Sequence, residues 1–167
     1  MRLFATIAWV GLALLSVACS KEEQGKAPPA LAITADATGY YCGMLLSEHP
    51  GPKGQILLQS GKSPVWFSSV RDTLTFLRLP EEPKDVAAVY VSDMAKAPNW
   101  EEPGTDNWIK ASDAMFVVGS DREGGMGGAE AVPFGAKDAA EEFIAEHGGT
   151  IVSFDEAQQK MAKAAAQ

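Results

Sequence analysis

This chain of 167 residues is poor in the side chains that most often build metal and catalytic sites, because it holds only 2 cysteines and 2 histidines. Basic residues are scarce as well: 14 lysines and arginines stand against 22 aspartates and glutamates, for a formal net charge of -8. Nucleic-acid binding needs a basic surface, so we exclude that class of partner. The acidic balance still permits electrostatic contact with a basic protein partner.

The N-terminus predicts export. Arg2 precedes an almost unbroken apolar run over residues 4–17, which is the layout of a secretory signal and too short for a stable membrane span. Its ending, "LSVAC", resembles a bacterial lipoprotein signal, which implies a signal peptide over 1–18, cleavage before Cys19 and lipidation of that cysteine. An ordinary cleaved signal is the alternative. In both cases we expect the mature protein to be extracytoplasmic.

Flanking segments on both sides of the body are polar or of low complexity. Residues 19–38, starting at the lipidated cysteine, contain "SKEEQGKAPPA" and predict a flexible tether. Residues 157–167 are rich in Ala, Lys and Gln and predict a marginal helix or a frayed tail. Lipidation of Cys19 would leave Cys42 as the single free thiol, with no intramolecular disulfide.

The body contains a repeat. Residues 39–95 predict strand, strand, helix and strand, with Ser69 and Asp72 as a capping box at the helix start. Residues 113–156 predict the same order, and residues 96–112 form a Pro-, Asn- and Gly-rich linker. At a fixed offset the halves share these pairs: Phe67 with Phe134, Phe76 with Phe143, and Leu77 with Ile144. We therefore predict an α+β fold of two similar ββαβ lobes, packed together because each alone has few apolar residues.

Cys42 and Met44 stand two residues apart, so on a strand their sulfur atoms would point to one face. A thiolate and a thioether favour Cu(I), whereas zinc would usually want more thiolates or histidines. A buried cysteine beside a core methionine is the alternative, and for this pair alone we favour it. His49 follows in a turn-forming segment and is either a solvated loop residue or a third ligand.

Met126 stands in "REGGMGG", among four glycines and without apolar neighbours. A core methionine belongs on a periodic apolar face, so we interpret Met126 as a ligand that a flexible loop can move onto and off a metal. The repeat places this loop at the first turn of lobe two, where it could meet Cys42 across the interface. His147, in the last turn of a helix, is expected to be structural. Trp100 and Trp108 are expected to cover the lobes, and Met94, Met115 and Met161 to pack or lie in the tail.

These motifs together carry a family resemblance. The ordered segments "YYCGM", "VWFSSVRDTLTFL", "AVYVSDM", "AMFVVGS", "GGMGG" and "VPFGAKDAAEEF", over residues 39–156, are similar to the NosL family of copper-binding lipoproteins. The resemblance implies a periplasmic, membrane-anchored Cu(I) chaperone, not an enzyme. Its implied partners are the apo form of nitrous oxide reductase and an upstream copper donor or membrane transport complex. The family's metal-site cysteine falls on Cys42 and its methionine on Met126, while Met44 and His49 are further candidates.

Three other interpretations remain open from the residues alone. One is an enzyme with Cys42 as nucleophile, for which only His49, His147 and Glu48 are available as bases. Another is a metal-free scaffold lipoprotein, and a third is a copper-sequestering protein with the same site and another partner. For the anchor we choose the outer bacterial membrane, with the inner membrane as the alternative.

Overall fold

The computed structural model describes residues 27–165. The predicted signal peptide over 1–18, the lipidated Cys19 and the first part of the tether lie outside the described residues. Among the residues it does describe, no helix has both the length and the apolar character needed to cross a membrane.

Lobe one is built from β1 (Gly54–Leu58), β2 (Val65–Phe67), α1 (Val70–Arg78) and β3 (Val86–Ser92). Its antiparallel sheet has the order β2-β1-β3-β4, where β4 (Trp108–Lys110) is an added edge strand. One half of the predicted capping box at the start of α1 is present, since the backbone N–H of Asp72 donates to the hydroxyl of the N-cap residue Ser69 over 3.1 Å, while the Asp72 carboxylate pairs with Arg71.

Lobe two repeats this arrangement with β5 (Met115–Glu123), β6 (Ala129–Phe134), α2 (Lys137–His147) and β7 (Thr150–Val152). Its sheet has the order β6-β5-β7, the counterpart of β2-β1-β3. The predicted α+β class with two ββαβ lobes is therefore confirmed.

The sequence repeat is also a repeat of contacts. In lobe one the rings of Phe67 and Phe76 lie 5.4 Å apart, and in lobe two those of Phe134 and Phe143 lie 5.3 Å apart. In each lobe the first phenylalanine ends the second strand and the other lies on the helix. Aromatic pairs at this separation hold the helix on its sheet.

The predicted tail is helical, which was one of its two predicted alternatives, and it is packed rather than frayed. Residues 154–165 form α3 (Phe154–Ala165), whose Ala157 and Met161 are buried, so the helix begins within residues that we predicted as the end of the last strand of lobe two. The reason is a capping box: Glu156 N–H donates to the Ser153 hydroxyl, and the Glu156 carboxylate accepts from Ser153 N–H. Residues 154, 157 and 161 then fall on one helical face.

The tether and the linker also contain ordered segments. In the described part of the tether, Leu31 exchanges two 2.9 Å hydrogen bonds with the side chain of Gln55, and the Tyr90 hydroxyl donates to Pro28 O over 2.7 Å. The predicted linker supplies β4, whose Trp108 pairs with Ser92 of β3. Unpaired strand edges recruit such segments because their N–H and C=O groups need partners.

Both lobes contribute to one hydrophobic cluster. It joins α1 and β3 of lobe one to β5, β6 and β7 of lobe two, and α3 closes it. Its buried members are Val70, Leu74, Val91, Ala111, Ala114, Phe116, Val118, Ala131, Val152, Ala157 and Met161. The predicted packing of lobe on lobe is thereby explained, because neither lobe covers these side chains by itself.

Candidate metal centre

Cys42 lies in a tight turn rather than on the strand that we predicted. We name residues 39–44 the cysteine turn. It is closed by two backbone hydrogen bonds, Gly43 N–H to Gly39 O (2.8 Å) and Gly39 N–H to Met44 O (2.9 Å). The Tyr40 N–H donates to Trp66 O over 2.7 Å, which fixes the turn on the edge strand β2. The turn thus covers a sheet edge and presents the thiol at the end of β2.

The thiol of Cys42 is half-buried and free. Its Sγ lies 3.7 Å from the hydroxyl oxygen of Ser68, 3.9 Å from Gly39 O and 4.0 Å from Met44 O. Ser68 is itself buried and directly precedes the N-cap of α1. The sulfur therefore lies half-exposed among polar oxygens, unlike the buried cysteine in an apolar core of our alternative interpretation.

Two tyrosines of the turn are tied to the segment after α1. The hydroxyls of Tyr40 and Tyr41 donate to the two carboxylate oxygens of Glu82, over 3.1 and 2.9 Å. Partial burial, followed by the contact with Glu82, raises the pKa of Tyr41, so its hydroxyl keeps the proton it donates. The Tyr40 ring also packs edge-on against Phe76, at 5.5 Å. These contacts restrict the backbone that carries Cys42.

Met126 lies in the turn that joins β5 to β6. We name residues 124–128 the methionine loop. It is closed by Gly124 N–H to Gly128 O (3.0 Å) and Gly127 N–H to Gly124 O (2.8 Å). Gly127 has a φ of 75°, a conformation that favours glycine. The Met126 side chain is 43% exposed, so it is not a core methionine.

The methionine loop touches lobe one at Gly125. A methyl group in place of its hydrogen would come within 2.8 Å of Ser68 O and 2.7 Å of His49 Cβ. Only glycine permits so close an approach. Because Ser68 also contacts the Cys42 thiol, the cysteine turn, His49 and the methionine loop meet around one serine at the lobe interface.

His49 follows a short 3-10 turn, Leu46–Glu48. Its Nδ1 lies 2.8 Å from Gly125 O, and because a carbonyl only accepts, Nδ1–H is the donor. The Nε2 atom then carries a lone pair, and it is buried without a protein partner among residues 27–165. Histidines that bind metals typically donate their other ring N–H to a carbonyl in this way. His49 therefore fits a ligand better than a solvated loop residue.

Met44 lies on the same turn as Cys42, with its side chain 39% exposed. The strand geometry on which we based their shared orientation does not exist here, because residues 40–42 form a turn and only Thr38 and Leu45 bridge as strand partners. Met44 is near the thiol through the backbone, and its thioether is free to reorient.

Two buried charged residues, which the sequence analysis missed, lie behind this site. The Glu130 carboxylate, 1% exposed, accepts from the N–H groups of Val70 (3.2 Å), Arg71 (2.7 Å) and Ala131 (2.8 Å). Burial raises the pKa of Glu130 to about 7, although the three N–H groups oppose the rise. A glutamate in the otherwise apolar strand "AEAVPF" was the available signal.

Lys53 is the second of these residues. Burial lowers the pKa of Lys53 to about 8, with Glu130 and Glu101 opposing the shift. Its ammonium group donates to the carbonyl oxygens of Pro50 and Gly51, directly after His49. The lysine thus fixes the backbone that holds the His49 ring against the methionine loop.

The remaining predicted residues lie elsewhere. His147 ends α2 and its Nδ1 lies 2.9 Å from Asp121 Oδ1, which agrees with a structural role. Trp100 stacks on Phe143 at 6.4 Å, and Trp108 lies 6.0 Å from Trp66, so both tryptophans pack against the lobes. Within residues 27–165 no group of three or more His, Cys, Asp or Glu side chains is arranged to hold a metal ion.

Comparison with known proteins identifies relatives that align with most of this chain and carry the same name. The chain is 44% identical over 153 residues to the copper-binding lipoprotein NosL of Achromobacter cycloclastes, covering 91% of this chain and 78% of that protein. It is 32% identical over 146 residues to the copper-binding lipoprotein NosL of Stutzerimonas stutzeri, covering 87% and 75%.

A solved structure shares the fold. The crystal structure of the copper chaperone NosL from Shewanella denitrificans superposes with a TM-score of 0.71 at 41% identity, covering 77% of this chain and 96% of that one. The family profile of NosL matches residues 29–162, which include both lobes and every candidate ligand that the structure describes. This chain therefore belongs to the NosL family.

Proposed function

We propose that this chain is a membrane-anchored Cu(I) chaperone that delivers copper for the maturation of nitrous oxide reductase in the periplasm. The observation that carries the proposal is that three donor-bearing segments are linked through Ser68 and Gly125. The thiol of Cys42 lies 3.7 Å from the Ser68 hydroxyl oxygen, the methionine loop packs on Ser68 O at Gly125, and the imidazole of His49 lies 2.8 Å from Gly125 O. The names of the relatives, copper-binding lipoprotein and copper chaperone, support it.

The donor chemistry favours Cu(I). Cys42 supplies a thiolate, Met126 and Met44 supply thioethers, and His49 has a buried Nε2 lone pair. Soft sulfur donors select Cu(I), whereas carboxylates, which suit harder cations, are absent from this set. Copper is here the cargo, and the protein's task is to hold it and release it.

Release is as important as binding for a carrier. Both thioethers are about two-fifths exposed, so a donor from a partner protein can approach the ion and replace them one at a time. Cys42 and His49, held by the turn and by Gly125 O, would keep the ion in place until the exchange. A lipid at Cys19 would confine the exchange to the membrane surface, the outer membrane being our choice.

The test is an anaerobic Cu(I) titration of the full chain in detergent against a chromogenic chelator. We expect tight binding by the parent and at least about tenfold weaker binding by Cys42→Ser, Met126→Leu and His49→Asn, since each removes one donor of a soft site. Matched controls are Met161→Leu in the core and His147→Asn at the end of α2, neither of which should change the affinity.

A second step tests delivery. Copper-loaded protein is mixed with apo nitrous oxide reductase, and metal transfer and recovered reductase activity are measured against an equal amount of chelator-bound copper. Faster transfer from the protein supports the proposal. Binding without transfer would indicate the copper-sequestering alternative. A parent that binds no Cu(I), or that binds equally well without Cys42 and Met126, would overturn the proposal altogether.

A further inference from the structure

Glu130 connects the lobes directly behind the methionine loop. Its Oε1 accepts from Arg71 N–H and Ala131 N–H, and its Oε2 accepts from Val70 N–H. Val70 and Arg71 are the first two residues of α1, and the hydroxyl of the cap residue, Ser69, accepts from Asp72 N–H rather than from either of them. A carboxylate from lobe two therefore completes the N-terminal cap of a nine-residue helix in lobe one.

The same carboxylate packs against the start of the methionine loop. A methyl group on Gly124 would come within 2.6 Å of Glu130 Oε2 and 3.2 Å of Ser69 Cβ, so the loop backbone passes between the two. At the next residue of the loop, Gly125 reaches Ser68, which precedes Ser69, and His49. The position of Met126 relative to Cys42 thus depends on how firmly Glu130 binds the start of α1.

Asp93 makes the reciprocal connection and provides a matched control. This buried aspartate of lobe one accepts from Gly135 N–H over 2.8 Å, at the junction of β6 and α2, and pairs with Lys96. Gly135 corresponds to Ser68 in the repeat. Asp93 thus connects the lobes as Glu130 does, but it lies at the opposite end of β6 from the methionine loop.

We propose that Glu130 is a positioning residue of the copper site, which holds the methionine loop against Ser68 so that Met126 completes the coordination begun by Cys42. This inference rests on the proposed copper function. Glu130 contacts no candidate ligand itself. It acts through the backbone of Gly124 and through the first turn of α1.

The test is a double-mutant cycle between Glu130→Ala and Met126→Leu, with Cu(I) affinity of the full chain as the readout. If Glu130 positions Met126, Glu130→Ala weakens binding about tenfold in the parent and less than about twofold when Met126 is already replaced. Glu130→Gln, which keeps one acceptor oxygen, should recover part of the loss. Asp93→Asn should leave the affinity within about twofold of the parent.

Two further measurements keep the outcome decisive. Copper-edge X-ray absorption should show one sulfur neighbour fewer in Glu130→Ala, as in Met126→Leu. If Glu130→Ala does not fold, Glu130→Gln replaces it in the cycle, because it keeps the size of the side chain and changes only one of the two acceptor oxygens. Equal losses from Glu130→Gln in both Met126 backgrounds would then overturn the positioning role.

The results separate this inference from the function on which it rests. A parent that binds no Cu(I) overturns the proposed function. A parent that binds, with equal losses from Glu130→Ala in both Met126 backgrounds and an unchanged sulfur count, overturns the positioning role alone.

Discussion

Glu130 illustrates how much a single buried side chain contributes in this small protein. It is almost fully buried, yet every protein hydrogen bond that it accepts comes from a backbone N–H group. Burial disfavours the charged form of Glu130, whereas the three N–H donors favour it. Because burial is the larger effect, the pKa of Glu130 is raised to about 7. The residue thus stabilises the interface and at the same time makes the stability depend on pH.

The sign of that dependence can be predicted. The pKa of Glu130 is about 7 in the folded chain and 4.5 as the reference for the unfolded one, so the folded chain binds more protons between these values. The contribution to stability is therefore fully present below pH 4.5 and is lost as the pH rises through 7. We expect the free energy of unfolding to fall across this window by up to about 3 kcal/mol.

Urea unfolding at several pH values measures this dependence. Glu130→Gln cannot ionise, so its unfolding free energy should vary less with pH over the same window than that of the parent. Equal slopes for parent and variant would show that Glu130 does not titrate differently in the two states. The comparison is kept below pH 7, because burial lowers the pKa of Lys53 to about 8 and the charge of Glu130 opposes that shift, so Lys53 begins to contribute at higher pH.

At the scale of elements, α3 shows how a short polar-looking segment becomes part of the core. The capping box of Ser153 and Glu156 starts the helix, and the Phe154, Ala157 and Met161 face then covers the shared cluster. Phe154 packs on Phe116 with ring centres 5.9 Å apart. The helix is held by this packing rather than by intrinsic propensity.

Truncating the buried methionine of α3 should therefore destabilise the whole protein. Met161 is 4% exposed, and Met161→Ala is expected to lower the free energy of unfolding by about 2–5 kcal/mol. The neighbouring Lys160 is exposed, and Lys160→Ala should change it by less than about 0.5 kcal/mol. Chemical denaturation of both variants measures the difference; a small effect of Met161→Ala would mean that α3 frays from the core.

At the scale of the whole molecule, the two lobes are one cooperative unit. They share one hydrophobic cluster across their interface. Each lobe also contributes one buried carboxylate that accepts a backbone hydrogen bond from the other lobe: Glu130 from the start of α1, and Asp93 from Gly135 before α2. Neither lobe can unfold without exposing the apolar face and the N–H groups of the other. We therefore expect the two lobes to unfold together.

We predict that replacing one shared side chain loosens both lobes. Phe116 is fully buried in β5, and Phe116→Ala should cost about 3–5 kcal/mol. Hydrogen exchange of β1 amides in lobe one should then accelerate as much as that of β5 amides in lobe two. Acceleration limited to lobe two would show that the lobes unfold separately.

Much of the fold follows from local patterns. The periodicity around Phe67 and Phe76, and its recurrence at Phe134 and Phe143, predicts both lobes because strands and helices bury one face each. The same approach missed β4, whose three residues pair only because an edge is available, and it took the start of α3 for strand, because the capping box at Ser153 was not recognised.

The candidate donors are evident from the sequence alone: a thiol at Cys42, a methionine among glycines at Met126, and a histidine in a turn-forming segment at His49. Which of them meet was decided only by the tertiary structure. Contacts across about 80 residues, such as His49 with Gly125, depend on the packing of two lobes, and no local period encodes them. The buried Glu130 belongs to the same class, because a glutamate in a strand acquires its role only when the packing of the lobes brings the N-terminus of α1 against its carboxylate.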